Sequence, residues 1–211
     1  MKRILALTAF LLPLSLSLTS CGPVSLGYDE GIETLEGYAS AYQDEGFVRP
    51  SRYTYEEETE SVKKTIRLSF QEGYRYQRIE DQGRISEEYH YLRREDEKLY
   101  IYAASVGEDG SKRCHQEEVF DEGQGFLNAL EMEFSTNVLD FPSDLIEALK
   151  KDDTAFSIRG LNSFTVTCPR GTYEFENGLL SNYEEEAKKG RFYYGVAEVA
   201  YPVYDLTWSQ E

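Results

Sequence analysis

The stretch YRYQRIEDQGRISEEYHYLRREDEKLYIYAAS, residues 74–105, alternates short runs rich in tyrosine and isoleucine with turn-forming groups such as Asp81-Gln82-Gly83. Runs of this kind, with turns spaced roughly ten to fourteen residues apart, are typical of an antiparallel meander. The same pattern extends outward in both directions along the chain. We therefore predict six consecutive strands, near 51–58, 62–70, 74–80, 85–93, 97–105 and 112–120.

Four of these predicted strands carry the motif Tyr-x-Tyr, and a spacing of two places both rings on one face of a strand. The pairs are Tyr53/Tyr55, Tyr74/Tyr76, Tyr89/Tyr91 and Tyr100/Tyr102. With aligned registers the eight rings would cover one patch of the sheet. Two interpretations stay open. The patch is either a core face built from cross-strand aromatic pairs, or a concave lining that gives the hydroxyl groups polar partners.

Helical spacing flanks the meander on both sides. Residues 29–45 place Ile32, Leu35 and Tyr38 on one stripe, which predicts an N-terminal helix. Residues 122–151 carry two further stripes with a break near 137–142, which predicts two short helices. Residues 154–208 return to alternation, and Asn177-Gly178 is a strong hairpin signal, so we predict about four more strands.

These elements predict a single α+β domain over residues 29–211. We expect a curved, half-barrel-like antiparallel sheet of about ten strands. The N-terminal helix and the two-helix insertion are expected to pack against one face of it, because amphipathic helices must bury their apolar stripe.

The first residues have the composition of an export signal. Lys2 and Arg3 precede an uncharged run from Ile4 to Leu18 of about fifteen residues, shorter than the ~20 needed to span a bilayer. The tetrapeptide Leu18-Thr19-Ser20-Cys21 then resembles a bacterial lipobox. The resemblance implies that residues 1–20 are a lipoprotein signal peptide, that Cys21 is acylated, and that the acyl chains anchor the protein.

We accordingly expect the domain to face the extracytoplasmic side of a bacterial cell membrane. The lipidated segment 21–28, rich in Gly, Ser and Pro, is expected to act as a tether. An ordinary signal peptide followed by a chance cysteine is the alternative interpretation. The sequence leaves open whether the host has one membrane or two.

Two further cysteines lie in predicted strands, Cys114 and Cys168. In an exported domain such a pair predicts one disulfide, and two separate buried thiols are the alternative.

Composition excludes several classes of protein. The 211 residues contain 22 Lys+Arg against 39 Asp+Glu, a net charge of −17, which excludes a nucleic-acid binder that works by phosphate neutralisation. The 17 Tyr and 11 Phe exclude a disordered acidic tail. His90 and His115 are the two histidines, and no nucleophile elbow, phosphate loop or zinc-protease motif is present. We therefore predict no enzyme activity, no cofactor and no metal site.

The order lipobox, helix, meander, helical insertion and returning strands resembles that of the LolA/LolB and LppX/LprG type of lipid and lipoprotein carriers. The resemblance implies an open, curved sheet whose helices enclose acyl chains. We expect a non-catalytic protein that binds or carries an amphiphilic ligand or lipid between sheet and helices. The expected lining consists of Tyr53, Tyr55, Tyr74, Tyr76, Tyr89, Tyr91, Tyr100, Tyr102, Phe126, Leu130, Phe134, Ile146 and Leu149.

The alternative function is a surface module without a ligand cavity that contacts another protein or the cell wall. Any protein partner and the oligomeric state stay open.

Overall fold

The computed structural model of the chain describes residues 22–202 and 209–210, so the export signal and Cys21 lie outside the described residues. The helices are α1 (Tyr28–Ala41), α2 (Gln124–Phe134) and α3 (Phe141–Ala148), and a π-helical turn (Ser135–Leu139) joins the last two. The strands are β1 (Val24–Leu26), β2 (Arg52–Thr59), β3 (Val62–Ser69), β4 (Tyr74–Asp81), β5 (Arg84–Glu95), β6 (Lys98–Val106), β7 (Lys112–Val119), β8 (Ala155–Arg159), β9 (Ser163–Cys168), β10 (Gly171–Glu176), β11 (Leu179–Glu185), β12 (Lys188–Tyr194) and β13 (Ser209–Gln210).

All thirteen strands form one sheet in the order β1-β8-β9-β10-β11-β12-β2-β3-β4-β5-β6-β7-β13. Neighbouring strands are antiparallel except for β13, which runs parallel to β7. The α+β class and the antiparallel sheet are confirmed, and β2 to β7 lie where the meander was predicted. The prediction of about ten strands is too low. Short edge segments such as Val24–Leu26, which falls in the expected tether, are too brief to show alternation.

The two halves of the sheet bury opposite faces. Tyr53 pairs with Leu68, and Leu68 pairs with Arg75, so these three side chains share one face, here called the helix face. Tyr74 pairs with Ser69 and therefore lies on the opposite face, here called the outer face. The eight tyrosines consequently do not form the single patch that their spacing suggested. Tyr53 and Tyr55 lie on the helix face, and the six tyrosines of β4, β5 and β6 lie on the outer face.

A large apolar cluster fills the space between the helices and the helix face. It takes Leu35 from α1, Leu130 and Phe134 from α2, and Leu145 from α3. The strands contribute the buried side chains Tyr53, Leu68, Phe156, Phe164, Val166, Tyr173, Phe175, Leu180, Tyr183 and Phe192. Burial of this apolar surface is the main favourable contribution to the stability of this half of the sheet.

A second cluster, the tyrosine cluster, lies on the outer face of β4 to β7. It contains Tyr74, Tyr76, Tyr91, Tyr102, Ala104 and Cys114, with Tyr89, Tyr100 and Val106 at its margin. The chain segment after β12, residues 196–201, covers part of it. Tyr74 donates a hydrogen bond of 3.0 Å to the carbonyl oxygen of Ala200, and the ring of Tyr201 lies 4.9 Å from that of Tyr91. The packing interpretation therefore describes Tyr74, Tyr76 and Tyr89, because the hydroxyl group of Tyr74 donates to Ala200 and those of Tyr76 and Tyr89 donate to the Glu87 carboxylate.

The predicted disulfide between Cys114 and Cys168 is wrong. Cys114 belongs to the tyrosine cluster on β7, and Cys168 ends β9 beside the helix-face cluster. The strand order puts β7 and β9 nine places apart, and at ~4.8 Å per strand this is about 40 Å along the sheet. A disulfide needs Cα atoms within ~7 Å.

Two glycines of α1 test how closely this helix packs on the sheet. A Cβ atom at Gly31 would lie 2.2 Å from the ring of Phe156, whereas a Cβ atom at Gly37 would meet nothing within 4 Å. We expect Gly31→Ala to lower the free energy of unfolding by about 1–3 kcal/mol through overpacking. Gly37→Ala should raise it by about 0.5–1 kcal/mol through helix propensity. Urea titration of both variants measures this, and equal effects would contradict the packing of α1 on β8.

Candidate functional site

The predicted lining residues that lie between the helices and the sheet are packed against one another. Leu130 and Phe134 are 1% and 0% exposed. Phe126, Ile146, Leu149 and Tyr55 are partly buried against the same cluster. The structure therefore brings the helical lining residues together with Tyr53 and Tyr55. It places Tyr74, Tyr76, Tyr89, Tyr91, Tyr100 and Tyr102 on the other side of the sheet.

A cleft of about 180 Å3 opens where the π-helical turn faces β2, β11 and β12. Its walls include the apolar side chains of Phe141, Leu180 and Phe192, and the polar side chains of Thr136 and Asn137. Ligand pockets for drug-sized molecules usually measure ~300–1,000 Å3. The cleft is therefore smaller than the usual space for an amphiphile.

A hydrogen-bonded group of Tyr55, Tyr183 and Glu57 borders this cleft. The Glu57 carboxylate accepts hydrogen bonds of 2.6 Å from Tyr55 and 2.7 Å from Tyr183. Tyr183 reaches Glu57 across Gly190, which lies between them in the sheet register, and a Cβ atom there would stand 2.3 Å from the Tyr183 ring. The absence of a side chain at Gly190 therefore makes this network possible.

Burial and hydrogen bonding act in opposite directions on the Glu57 carboxyl group. Burial raises its pKa, but the hydrogen bonds from Tyr55 and Tyr183 and the charges of Lys188 and Lys64 outweigh that effect, so the pKa lies below its usual value. Burial also raises the pKa of both phenols, and the carboxylate adds to the increase. At neutral pH Glu57 is thus ionised while both phenols keep their protons.

An open groove of about 540 Å3 lies on the strands β11, β12, β2, β3 and β4. One row of side chains crosses these five strands in register with alternating charge: Glu184, Lys189, Glu58, Lys63 and Glu80. Here the Glu58 carboxylate lies 2.9 Å from the Lys189 ammonium group and 3.3 Å from that of Lys63. Hydrogen bonds from these two lysines lower the pKa of Glu58.

Charge in this groove differs from the charge of the whole chain. The lining contains the cations Lys63, Lys64, Arg78, Lys189 and Arg191 and the acids Glu56, Glu57, Glu58, Glu80 and Glu184. Its two signs are balanced, although the chain carries a net charge of −17. Exposed ion pairs contribute only ~0–1 kcal/mol each, so a ligand with charged groups can replace them at small cost.

A third site lies on the helix face of β5, β6 and β7, where a depression of about 300 Å3 contains both histidines. His90 pairs with Ala103, and Ala103 pairs with His115, so the two imidazoles flank a small residue. Burial and the charge of Arg75 lower the pKa of His90. The sequence pattern does not predict that the two histidines lie near each other, because their proximity depends on the register of three strands.

In the described part of the chain, no three side chains of His, Cys, Asp or Glu are gathered as metal ligands. None of its helices combines the length and apolar character that a membrane crossing requires.

The groove residues Lys63, Lys189, Arg191 and Tyr193 were not among the predicted site residues. The acidic run Glu56-Glu57-Glu58 and the pairs Lys63-Lys64 and Lys188-Lys189 are visible in the sequence as like-charged runs. Their collection into one row, however, depends on the order of β11, β12 and β2, which is not visible in the sequence.

Comparison of the chain with protein-family models, with curated proteins and with solved structures finds no match.

The Glu57 network makes a prediction about stability and pH. Glu57→Gln should lower the free energy of unfolding at pH 7 by about 1–2 kcal/mol, because a half-exposed carboxylate loses two charged hydrogen bonds. A lowered folded-state pKa contributes stability that is present above the unfolded pKa and disappears as the pH falls below about 4.5. Chemical denaturation at several pH values should therefore show a smaller acid-induced loss in the variant. The exposed Glu60→Gln is the matched control, and equal profiles for the two variants would contradict the assignment.

Proposed function

We propose that this protein is a membrane-anchored, extracytoplasmic binding module that works through the open groove on the outer face. The observation that carries the proposal is the distribution of space. The groove measures about 540 Å3, whereas the cleft beside the helices measures about 180 Å3 and the surrounding interior is packed. A protein that binds its ligand on the surface needs an open groove and does not need an internal cavity.

The anchor in this proposal is the acylated Cys21. Support comes from the lipobox-like tetrapeptide directly behind an uncharged run, and two or three acyl chains hold a protein firmly because each buried CH2 contributes ~0.8 kcal/mol. The domain would be a non-catalytic protein, tethered close to the outer surface of the cytoplasmic membrane or to another envelope membrane.

The groove favours an extended, polar ligand that carries charges of both signs. Acidic and basic side chains alternate from strand to strand, so an extended ligand lying across the strands meets a charged group every few ångströms. Asn182 and Tyr193 add hydrogen-bonding groups to the lining. We therefore propose a peptide-bearing polymer of the cell wall as the ligand, rather than a uniformly charged one.

Carriage of an amphiphile is the second proposal, and one observation favours it. The small cleft combines apolar walls with the polar group of Tyr55, Tyr183 and Glu57, as an amphiphile requires. In this second proposal, the sheet would curve around the helices like a half-barrel. The helices would move away from the sheet to admit an acyl chain of the ligand. We rank this proposal second, because the described interior would have to open first.

Cell-wall binding is measured by co-sedimentation of the mature domain with purified walls. The double charge reversal Lys63→Glu/Lys189→Glu should weaken binding by about tenfold or more, because it removes two cations from the alternating row. The matched control is Arg84→Glu/Lys98→Glu, which makes the same change in net charge and breaks two exposed ion pairs elsewhere, of 3.6 Å and 2.8 Å. The control variant should bind like the wild type.

Two results would contradict the groove proposal. One is the absence of wall binding together with a lipid-bound mass in native mass spectrometry, which would favour carriage. The other is equal weakening by both double variants, which would show that net charge rather than the groove determines binding.

A further inference from the structure

The edge strand β1 begins at Val24, so only Gly22 and Pro23 separate it from Cys21 in the sequence. Three steps of extended chain span at most about 10 Å. β1 is hydrogen-bonded to β8 along its whole length and belongs to the sheet. If Cys21 is acylated, as the proposed function requires, the bilayer surface therefore lies close to this edge of the sheet.

The pairing of β1 with β8 shows which end of the sheet lies nearest to the anchor. Val24 is paired with Ile158, and the two strands are antiparallel. Following the chain back from Val24 therefore leads in the direction in which β8 continues into its turn, residues 160–162. Three residues separate Val24 from Cys21, and three separate Ile158 from Leu161. The anchor and this turn thus belong to the same end of the sheet.

The turn between β8 and β9 carries an apolar side chain at its tip. Gly160 has a φ of +66°, and Asn162 is a residue that turns favour, but the turn geometry does not require the leucine between them. The Leu161 side chain is 78% exposed. A single exposed leucine is common on protein surfaces, so its position beside the anchor is the informative feature.

Two further segments adjoin this turn. The backbone N–H of Asn177, in the turn between β10 and β11, donates a hydrogen bond of 2.8 Å to the carbonyl oxygen of Asn162. The hydroxyl group of Tyr42 donates to the carbonyl oxygen of Gly178 in the same turn. In the loop that follows Tyr42, Val48 is 86% exposed. Residues 42–48, 160–162 and 177–178 are together called the anchor tip.

The charges of the anchor tip and its neighbours do not form a basic patch. Arg159 is exposed, and so are the acids Asp44, Glu45 and Glu176. Anionic lipid headgroups attract clusters of Lys and Arg, which this surface lacks. A contact with a membrane would therefore depend on the apolar side chains, which gain by entering the boundary between headgroups and acyl chains.

The opposite end of the sheet has a different character. Its turns at 60–61, 82–83 and 107–111 contain no apolar side chain. The charged row of the groove lies toward this end: Glu184 follows Leu179 by five residues on β11, which is about 17 Å along the strand. The anchor tip and the groove are therefore separated along the direction of the strands.

We propose that the anchor tip, through Leu161 and Val48, rests in the headgroup region of the membrane that holds Cys21. This contact turns the groove away from the bilayer and toward the cell wall. The inference rests on the acylated anchor of the proposed function. The bilayer is the partner because the anchor would keep it within about 10 Å of the edge strand that leads to the tip.

The acylated mature protein, reconstituted in phosphatidylcholine vesicles, tests the orientation. A nitrobenzoxadiazole label is attached at Leu161→Cys or at Glu60→Cys in a chain that carries Cys168→Ser. Cys114 is 4% exposed and Cys21 is acylated, so neither competes for the label. Lipids with spin-labelled headgroups should quench the label at position 161 about threefold more than the label at position 60, which lies about 20 Å farther along the strands.

A matched pair of substitutions tests the role of the leucine. With the label at Val48→Cys, Leu161→Asp should lower the quenching by about twofold or more, because a charged side chain loses the apolar gain at the membrane surface. Ile85→Asp makes the same kind of change at an exposed apolar residue near the opposite end and should leave the quenching unchanged. Equal melting temperatures of the two variants exclude loss of the fold as the cause.

Three outcomes would overturn the proposal. Equal quenching at positions 161 and 60 in vesicle-bound, acylated protein would refute the tip and leave the anchor and the groove in place. Equal effects of Leu161→Asp and Ile85→Asp would refute the contact through Leu161. A mass without acyl chains would refute the anchor and the tip together. Binding of the soluble domain to purified walls tests the groove independently of all three.

Discussion

The pairing of β3 with β4 joins the two halves of the sheet and decides which side of each half meets solvent. Leu68 stands opposite Arg75, and Ser69 stands opposite Tyr74. In β3 the buried apolar side chain Leu68 faces the helices, and in β4 the buried ring of Tyr74 faces away from them. A shift of one residue in this register would exchange the faces and expose both cores, because side chains alternate along a strand.

This constraint explains why the sequence predicts the strands better than their faces. A spacing of two shows that Tyr53 and Tyr55 share a face, as do Tyr74 and Tyr76, but it says nothing about the relation between the two pairs. That relation depends on the turn between β3 and β4. The strand order, which separates Cys114 from Cys168, depends on how β12 returns to β2, and no local pattern encodes it. The two histidines approach each other for the same non-local reason.

Tyrosine and acidic residues are abundant in this chain, and the structure connects the two facts. Glu57 accepts hydrogen bonds from Tyr55 and Tyr183, and Glu87 accepts hydrogen bonds of 2.7 Å from Tyr76 and 3.2 Å from Tyr89.

A phenol can line a core when its hydroxyl group reaches such an acceptor, so the ring contributes apolar contact and the oxygen keeps a partner. Burial and the neighbouring carboxylate raise the pKa of Tyr89 to about 12, so it stays a hydrogen-bond donor over the physiological range. The abundance of tyrosine, which first suggested a ligand-binding surface, is thus explained in large part by packing.

Residues 196–201 have a consequence for how the molecule is made. They follow β12 and supply the carbonyl group and the ring that cover Tyr74 and Tyr91. The tyrosine cluster is formed by β4 to β7, yet its cover is synthesised only after α2, α3 and β8 to β12. During synthesis this surface stays open to water and to other proteins until residues 196–201 are added.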